Sequence, residues 1–270
     1  MNMTLLNTIA LALLILILVI ALGATTFAPA GYAKQFRESP NSPPCSRFLL
    51  GTDELGRDRF SRLLFATRVS LLLAPAAAAL STALAALIGT VAGFIGGIWE
   101  RLTMAAIDVF LSLPWLFLLI TVRALLPLNL SPLLSVLVTF LLLGLLGWAA
   151  AARVVCAGVR SIQASTFMLN ARAWGCSQRR LIAVQLIPNV RPVLWAQFLI
   201  SIPVFILAEA NLSILGLGLP EPLPSLGGLM VELESFSSVH AQPWRLAPLV
   251  VLALCVSALQ IIKGANEVRV

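Results

Sequence analysis

Charged and polar residues suited to binding or catalysis fall into three groups in this sequence. From Thr166 to Pro192 the run TFMLNARAWGCSQRRLIAVQLIPNVRP carries Arg172, Arg179 and Arg180, with Arg153 and Arg160 before it and Arg191 at its end, and no acid stands between Arg153 and Arg191. A basic interlude among apolar segments suits the docking of a partner rather than bond breaking, and its charge fits a cytoplasmic face. Earlier, Gly51-Thr52-Asp53-Glu54-Leu55-Gly56-Arg57-Asp58 places two glycines, three acids and an arginine in eight residues. That composition suits a hydrogen-bonded turn that fixes the next helix, with direct substrate contact as the other reading. The third group is Glu209 and Asp108, single carboxylates inside apolar runs, where an ionisable group is costly and marks a function or a structural pair. Glu209 is a candidate for lining a pathway, or a protonated or paired carboxylate packed against a neighbouring subunit. Asp108 is placed to pair with Arg101, with substrate handling as its alternative.

Enzymatic chemistry finds no support in these residues. There is no Gly-x-Ser-x-Gly elbow, and a single histidine, His240, forbids two-histidine metal motifs. Glu232 and Glu234 lie two apart and would not face each other on a helix. Lys34 and Lys263 lack the context of a phosphate-binding Gly-x-x-x-x-Gly-Lys loop, so any ATP must be bound by another chain. Cys45, Cys156, Cys176 and Cys255 have no paired spacing, and neither a disulfide nor a metal site is expected.

Membrane helices are the scaffold that holds these groups. Of 270 residues 60% are hydrophobic and only 11% charged, against roughly 25% charged in soluble domains. At about 20 residues per span the apolar runs give about six transmembrane helices, an all-α polytopic membrane protein. The net charge of +7 is spread through loops beside apolar spans, which points to anionic lipid and a protein partner rather than nucleic acid.

In order, Leu5–Phe27 is the first span, too long for a signal-peptide core. Gly31–Asp58 is polar and proline-rich, hence irregular. After it Phe60, Leu63, Leu64, Thr67 and Leu71 form a helical stripe from which Arg59, Arg62 and Ser70 fall away, an amphipathic helix lying in the interface. A second span covers about 71–98, with Gly89, Gly93 and Gly97 on one face for close helix approach. Trp99-Glu100-Arg101 makes a turn into a third span at about 102–126 containing Pro114. A tight turn, Pro127–Pro132, leads to a fourth at about 133–152. The basic stretch reads as two short amphipathic helices broken at Gly175, with Pro188 ending the pattern. The fifth span, about 193–219, holds Pro203 and Glu209, and the sixth covers about 244–262. Half of the 18 bases fall on each side of the membrane, so charge alone does not set orientation.

Three stretches carry a resemblance. Ala171-Arg172-Ala173-Trp174-Gly175, Arg180-Leu181-Ile182 and Leu186-Ile187-Pro188-Asn189 resemble the coupling loop of permease subunits of ABC importers. The octapeptide 51–58 is similar to the Gly-Thr-Asp-x-x-Gly-Arg-Asp signature of their dipeptide, oligopeptide and nickel branch, and Leu212-Ser213-Ile214-Leu215-Gly216-Leu217-Gly218 to a run of the same branch. Thr166 and Asn170 depart from the loop pattern, where an acid and an alanine are usual, and Lys263-Gly264-Ala265-Asn266 departs from the usual tail.

The resemblance implies a type I ABC importer permease fold in a bacterial or archaeal cytoplasmic membrane. Residues 1–28 would be the first transmembrane helix, 29–68 an extracytoplasmic segment with its interfacial helix, and 69–270 a permease core of five transmembrane helices, the cytoplasmic coupling loop at about 156–190. It also implies that Phe167, Ala171, Arg172, Ala173, Trp174, Gly175, Arg180, Leu186, Pro188 and Asn189 meet an ATPase, and that Gly51, Thr52, Asp53, Gly56, Arg57 and Asp58 form the extracytoplasmic motif. Implied partners are a second homologous permease in a heterodimer, one or two ATPase subunits carrying ATP and Mg, and a solute-binding protein, with no cofactor on this chain. The expected cargo is short peptides, with nickel as the alternative. A secondary transporter acting without ATPases would need an inverted repeat, and none is evident.

Overall fold

The computed structural model describes residues 3–125, 131–233 and 242–267, with side chains of these over 5–262. Pro127, Glu234, His240 and Arg269 lie outside the described residues. Every regular element described is helical, apart from the isolated bridges Gln35–Arg57 and Thr52–Asp58. In chain order the helices are α1 (Met3–Leu22), α2 (Ala24–Phe27), α3 (Arg59–Ile95), α4 (Gly97–Ser112), α5 (Trp115–Leu125), α6 (Pro132–Leu146), α7 (Trp148–Gln163), α8 (Thr166–Ala173), α9 (Gln178–Arg180), α10 (Ile187–Ile214), α11 (Leu226–Met230) and α12 (Ala247–Glu267). Among the described residues five apolar stretches are long enough to cross a membrane: Leu5–Leu22, Arg59–Ile95, Pro132–Gln163, Gln178–Ile214 and Pro243–Ile262. The pair α4 and α5, bent by 75°, makes a sixth if counted as one span.

The core forms around α3, which packs along α7, α10 and α6. Small residues permit the first of these contacts. A Cβ on Gly89 would lie 2.5 Å from the Ala152 carbonyl oxygen, and one on Gly93 2.8 Å from that of Cys156, so the backbones of α3 and α7 meet directly. Leu71, Ala74, Ala78, Leu143, Phe205 and Ile206 fill the space between α3, α6 and α10. By contrast α1 rests on α12 and α3 and turns Leu5, Ile9, Ile15, Leu16 and Val19 outward, as lipid or a second subunit requires.

Several boundaries differ from the sequence reading. The expected interfacial helix and second span are one continuous helix of 37 residues, about 55 Å long at 1.5 Å per residue and far longer than the roughly 30 Å of hydrocarbon. Its first turns are not a solvated face, because Arg62 and Ser70 are buried. Gly97 leaves the expected glycine face: α3 ends at Gly96, and a Cβ on Gly97 would meet nothing. Trp99, Glu100 and Arg101 lie inside α4 rather than in a turn. The third span is broken because Pro114 forces Leu113 into extended conformation (φ −85°, ψ 130°), which ends α4 there. The fourth span runs on to Gln163. Pro188 does not end the helix that follows Gly175: it sits in the first turn of α10, where a missing N–H is tolerated, and the apolar helix continues to Ile214.

Candidate functional site

The turn at residues 51–58 is shaped by its glycines and by Asp53. Gly51 and Gly56 have φ of 70° and 72°, and a Cβ on Gly56 would collide with the Phe36 carbonyl oxygen. One oxygen of Asp53 accepts the N–H groups of Leu55 (2.9 Å) and Arg57 (2.8 Å) and so closes the turn. Its other oxygen accepts Arg57 Nε (2.6 Å) and Arg62 Nη1 (2.7 Å). Asp58 caps α3 by accepting the Ser61 N–H at 2.9 Å.

The two arginines reach across the chain. Arg62 Nη2 donates to Glu221 at 2.9 Å, Arg57 pairs with the same carboxylate, and Arg59 pairs with Glu232. Thus Asp53, Arg57, Arg62 and Glu221 alternate in sign and lock the start of α3 to the loop after α10. Burial alone would raise the Asp53 carboxyl. Hydrogen bonds from Arg57 and the charges of Arg62 and Arg57 outweigh it and hold the group below its ordinary value. Glu221 follows the same order, with burial opposed by Arg62 and then Arg57, and it too is held low. For Arg57, burial is outweighed by hydrogen bonds to Asp53 and Glu221, which hold its proton more tightly than usual. Sequence reading singled out Gly51 to Asp58 but missed Arg59, Arg62, Glu221 and Glu232, whose partners lie more than 150 residues away.

The basic stretch forms an elbow. After α8, Gly175 turns at φ 73°, its N–H bonded to the Arg172 carbonyl (3.0 Å) and that of Cys176 to Ala171 (3.1 Å). These bonds close the helix end in the manner open to a left-handed glycine. Met168, Leu181 and Leu186 anchor the elbow inside, against Val155, Val159 and Val190. Outside, Phe167, Leu169 and Trp174 are exposed, Trp174 to 89%, and Arg172, Ala173, Gly175, Arg180, Pro188 and Asn189 share that exposure while Ala171 is half-buried. A wide, π-helical turn at Leu181–Leu186 leads into α10, where the Asn189 amide donates to the Gln185 carbonyl at 2.6 Å. Gln163, missed in the sequence, joins the elbow to α3. Its amide donates to the carbonyls of Gly93 (3.0 Å) and Phe94 (2.9 Å) at the end of α3 and accepts from Arg172 of α8 (2.9 Å).

Two further ion pairs tie α4 to α7. Asp108 pairs with Arg153, not with the expected Arg101, and Glu100 with Arg160 at 2.6 Å. Once residues 97–112 form one helix, Arg101 stands about two turns from Asp108, beyond a direct pair. Glu209 is fully buried in α10. Ser213 donates to it at 2.9 Å, and Ser225 and Gly227 of the α11 turn lie beside the same carboxyl. A Cβ on Gly227 would meet the α10 backbone at Ala210, so only glycine lets the turn approach this closely.

Comparison with known proteins bears on the whole arrangement. The sequence pattern of the family described as binding-protein-dependent transport system inner membrane component matches residues 85–264, which include the elbow but not the turn at 51–58. The oligopeptide transport system permease protein OppC of Bacillus subtilis (strain 168) is 29% identical over 238 residues, spanning 88% of this chain and 75% of that protein. The dipeptide transport system permease protein DppC of the same strain is 31% identical over 244 residues, 89% of this chain and 74% of that one. OppC of Mycobacterium tuberculosis (strain ATCC 25618 / H37Rv) is 32% identical over 235 residues, 87% and 79% of the two chains.

Proposed function

The chain belongs to the family of binding-protein-dependent transport system inner membrane components, and from that membership of an ABC-importer permease family we propose that it moves short peptides. The relatives named for oligopeptides and dipeptides support peptides over nickel. In this reading the chain forms half of a translocation pathway, beside a second homologous permease. ATP and Mg are bound by one or two separate ATPase subunits, and a solute-binding protein delivers the peptide to the face that carries the turn at 51–58.

The observation that carries the coupling role is the elbow: an apolar outer surface of Phe167, Leu169 and Trp174 on a rigid inner anchor of Met168, Leu181 and Leu186. ATPase closure would push this surface, and Gln163 would pass the displacement to the end of α3. A large exposed tryptophan in a segment that also exposes Arg172, Arg179 and Arg180 suits a docking contact whose core is aromatic and whose rim is charged.

The test is to tag the chain, extract it gently from its native membrane after crosslinking, and identify its companions by mass spectrometry. The expected companions are a homologous permease and one or two ATPase subunits. Recovery of the chain alone would contradict the reading.

A further inference from the structure

Neither the elbow nor the turn accounts for the buried charge of Arg123. Arg123, near the end of α5, is 3% exposed. Its Nη2 donates to the Ser135 hydroxyl of α6 at 2.7 Å, while Nε and Nη1 have no partner among the described residues. Among the described residues the ion pairs do not include it. A buried guanidinium left this way is costly unless something satisfies it, and Ser135 takes one N–H without neutralising the charge.

Arg123 lines a cavity of about 280 Å³ together with Ser213, the glycine-rich segment Gly216–Pro220, Glu221, Gly228 and Val231. The acid on that wall, Glu221, is already held by Arg57 and Arg62. Asp53, Glu221, Arg57 and Arg62 cancel in sign, which among the described residues leaves Arg123 as the uncompensated charge of the cavity. The volume is at the lower edge of small-molecule sites, enough for one end of a molecule rather than a whole peptide. A buried guanidinium with unsatisfied N–H groups is matched better by a carboxylate than by any neutral group.

We propose that the cavity at Arg123 binds a carboxylate, the C-terminal carboxylate of the transported peptide. This rests on the peptide reading above and adds a contact within the permease itself that distinguishes a free acid from its amide. The cavity adjoins the Arg57–Glu221 lock, so occupation would sit against the joint between the start of α3 and the loop after α10.

The experiment measures uptake of trialanine and trialanine amide in cells whose only copy of the transporter carries the native chain, Arg123→Gln or Arg123→Lys, with the complex at equal membrane levels. The native chain is expected to favour the acid, and Arg123→Gln to lower the acid-to-amide ratio by about tenfold to a hundredfold, the range expected for one charge-assisted pair. Arg123→Lys, which keeps the charge but loses the fork, is expected to fall between. An unchanged ratio, whether uptake of both falls together or neither falls, would overturn the proposal. If the native transporter takes up neither compound, the peptide reading fails, and the cavity is then judged on the purified complex. There acetate but not acetamide should raise the thermal midpoint of the native complex and leave Arg123→Gln unmoved; no response of the native complex to acetate would overturn the site.

Discussion

At the residue scale, Asp53 is where the ion lock is most exposed to test. It is buried and holds two arginines, so Asp53→Asn leaves Arg62 without its inner counter-charge. Breaking one side of a buried pair costs about 3–5 kcal/mol, and the thermal midpoint of the detergent-purified complex is expected to fall accordingly. The pH response has a definite sign. Asp53 and Glu221 are held below their ordinary values of 3.8 and 4.5, so their contribution is complete above those values and is lost as pH falls through the lower folded ones. Thermal stability is therefore expected to be flat through neutral pH and to drop only below about pH 4. Asp53→Asn should flatten that acid limb. The octapeptide was legible as a turn because glycine and aspartate act locally. Arg62 was read only as falling away from the apolar stripe of an interfacial helix, because such a stripe reports only neighbours three or four residues away, and Glu221 lies 159 residues on.

At the scale of elements, the contact between α3 and α7 and the bend at Gly175 make separate predictions. Gly89→Leu would drive a side chain into the backbone of α7 at Ala152, which overpacking places at about 1–3 kcal/mol. The readout is a lower midpoint with the chain still inserted. Gly175 meets nothing that a Cβ would strike, so its requirement is conformational, set by φ 73°. Gly175→Val, β-branched in a left-handed position, is expected to abolish uptake while the chain stays inserted at normal level. Gln163→Ala should loosen the elbow from α3, lowering transport per ATP hydrolysed more than it lowers hydrolysis. Glycine spacing revealed the close approach at Gly89 and Gly93, and the break at Gly175, because these are local backbone demands. The 75° bend at Pro114 and the passage of the helix through Pro188 were not legible. A proline in an apolar run either breaks a helix or is absorbed in its first turn, and which occurs depends on where the helix begins.

For the whole molecule, the helices gather around α3 and leave apolar side chains on their outward faces. Hydropathy made the number of spans legible, since each run must bury its backbone groups within a helix. The assembly around them was not, because an apolar face looks the same toward lipid and toward a second subunit. In the proposed function the elbow is the surface through which ATPase subunits drive this chain. The most direct measurement replaces Trp174 with a photo-crosslinking phenylalanine in the intact membrane, irradiates, and identifies the adduct, with Leu16 on the outer face of α1 as the reference position. An adduct between position 174 and an ATP-binding subunit, absent from position 16, is the predicted result. Adducts with lipid alone at both positions would contradict the claim and reduce the elbow to an interfacial anchor.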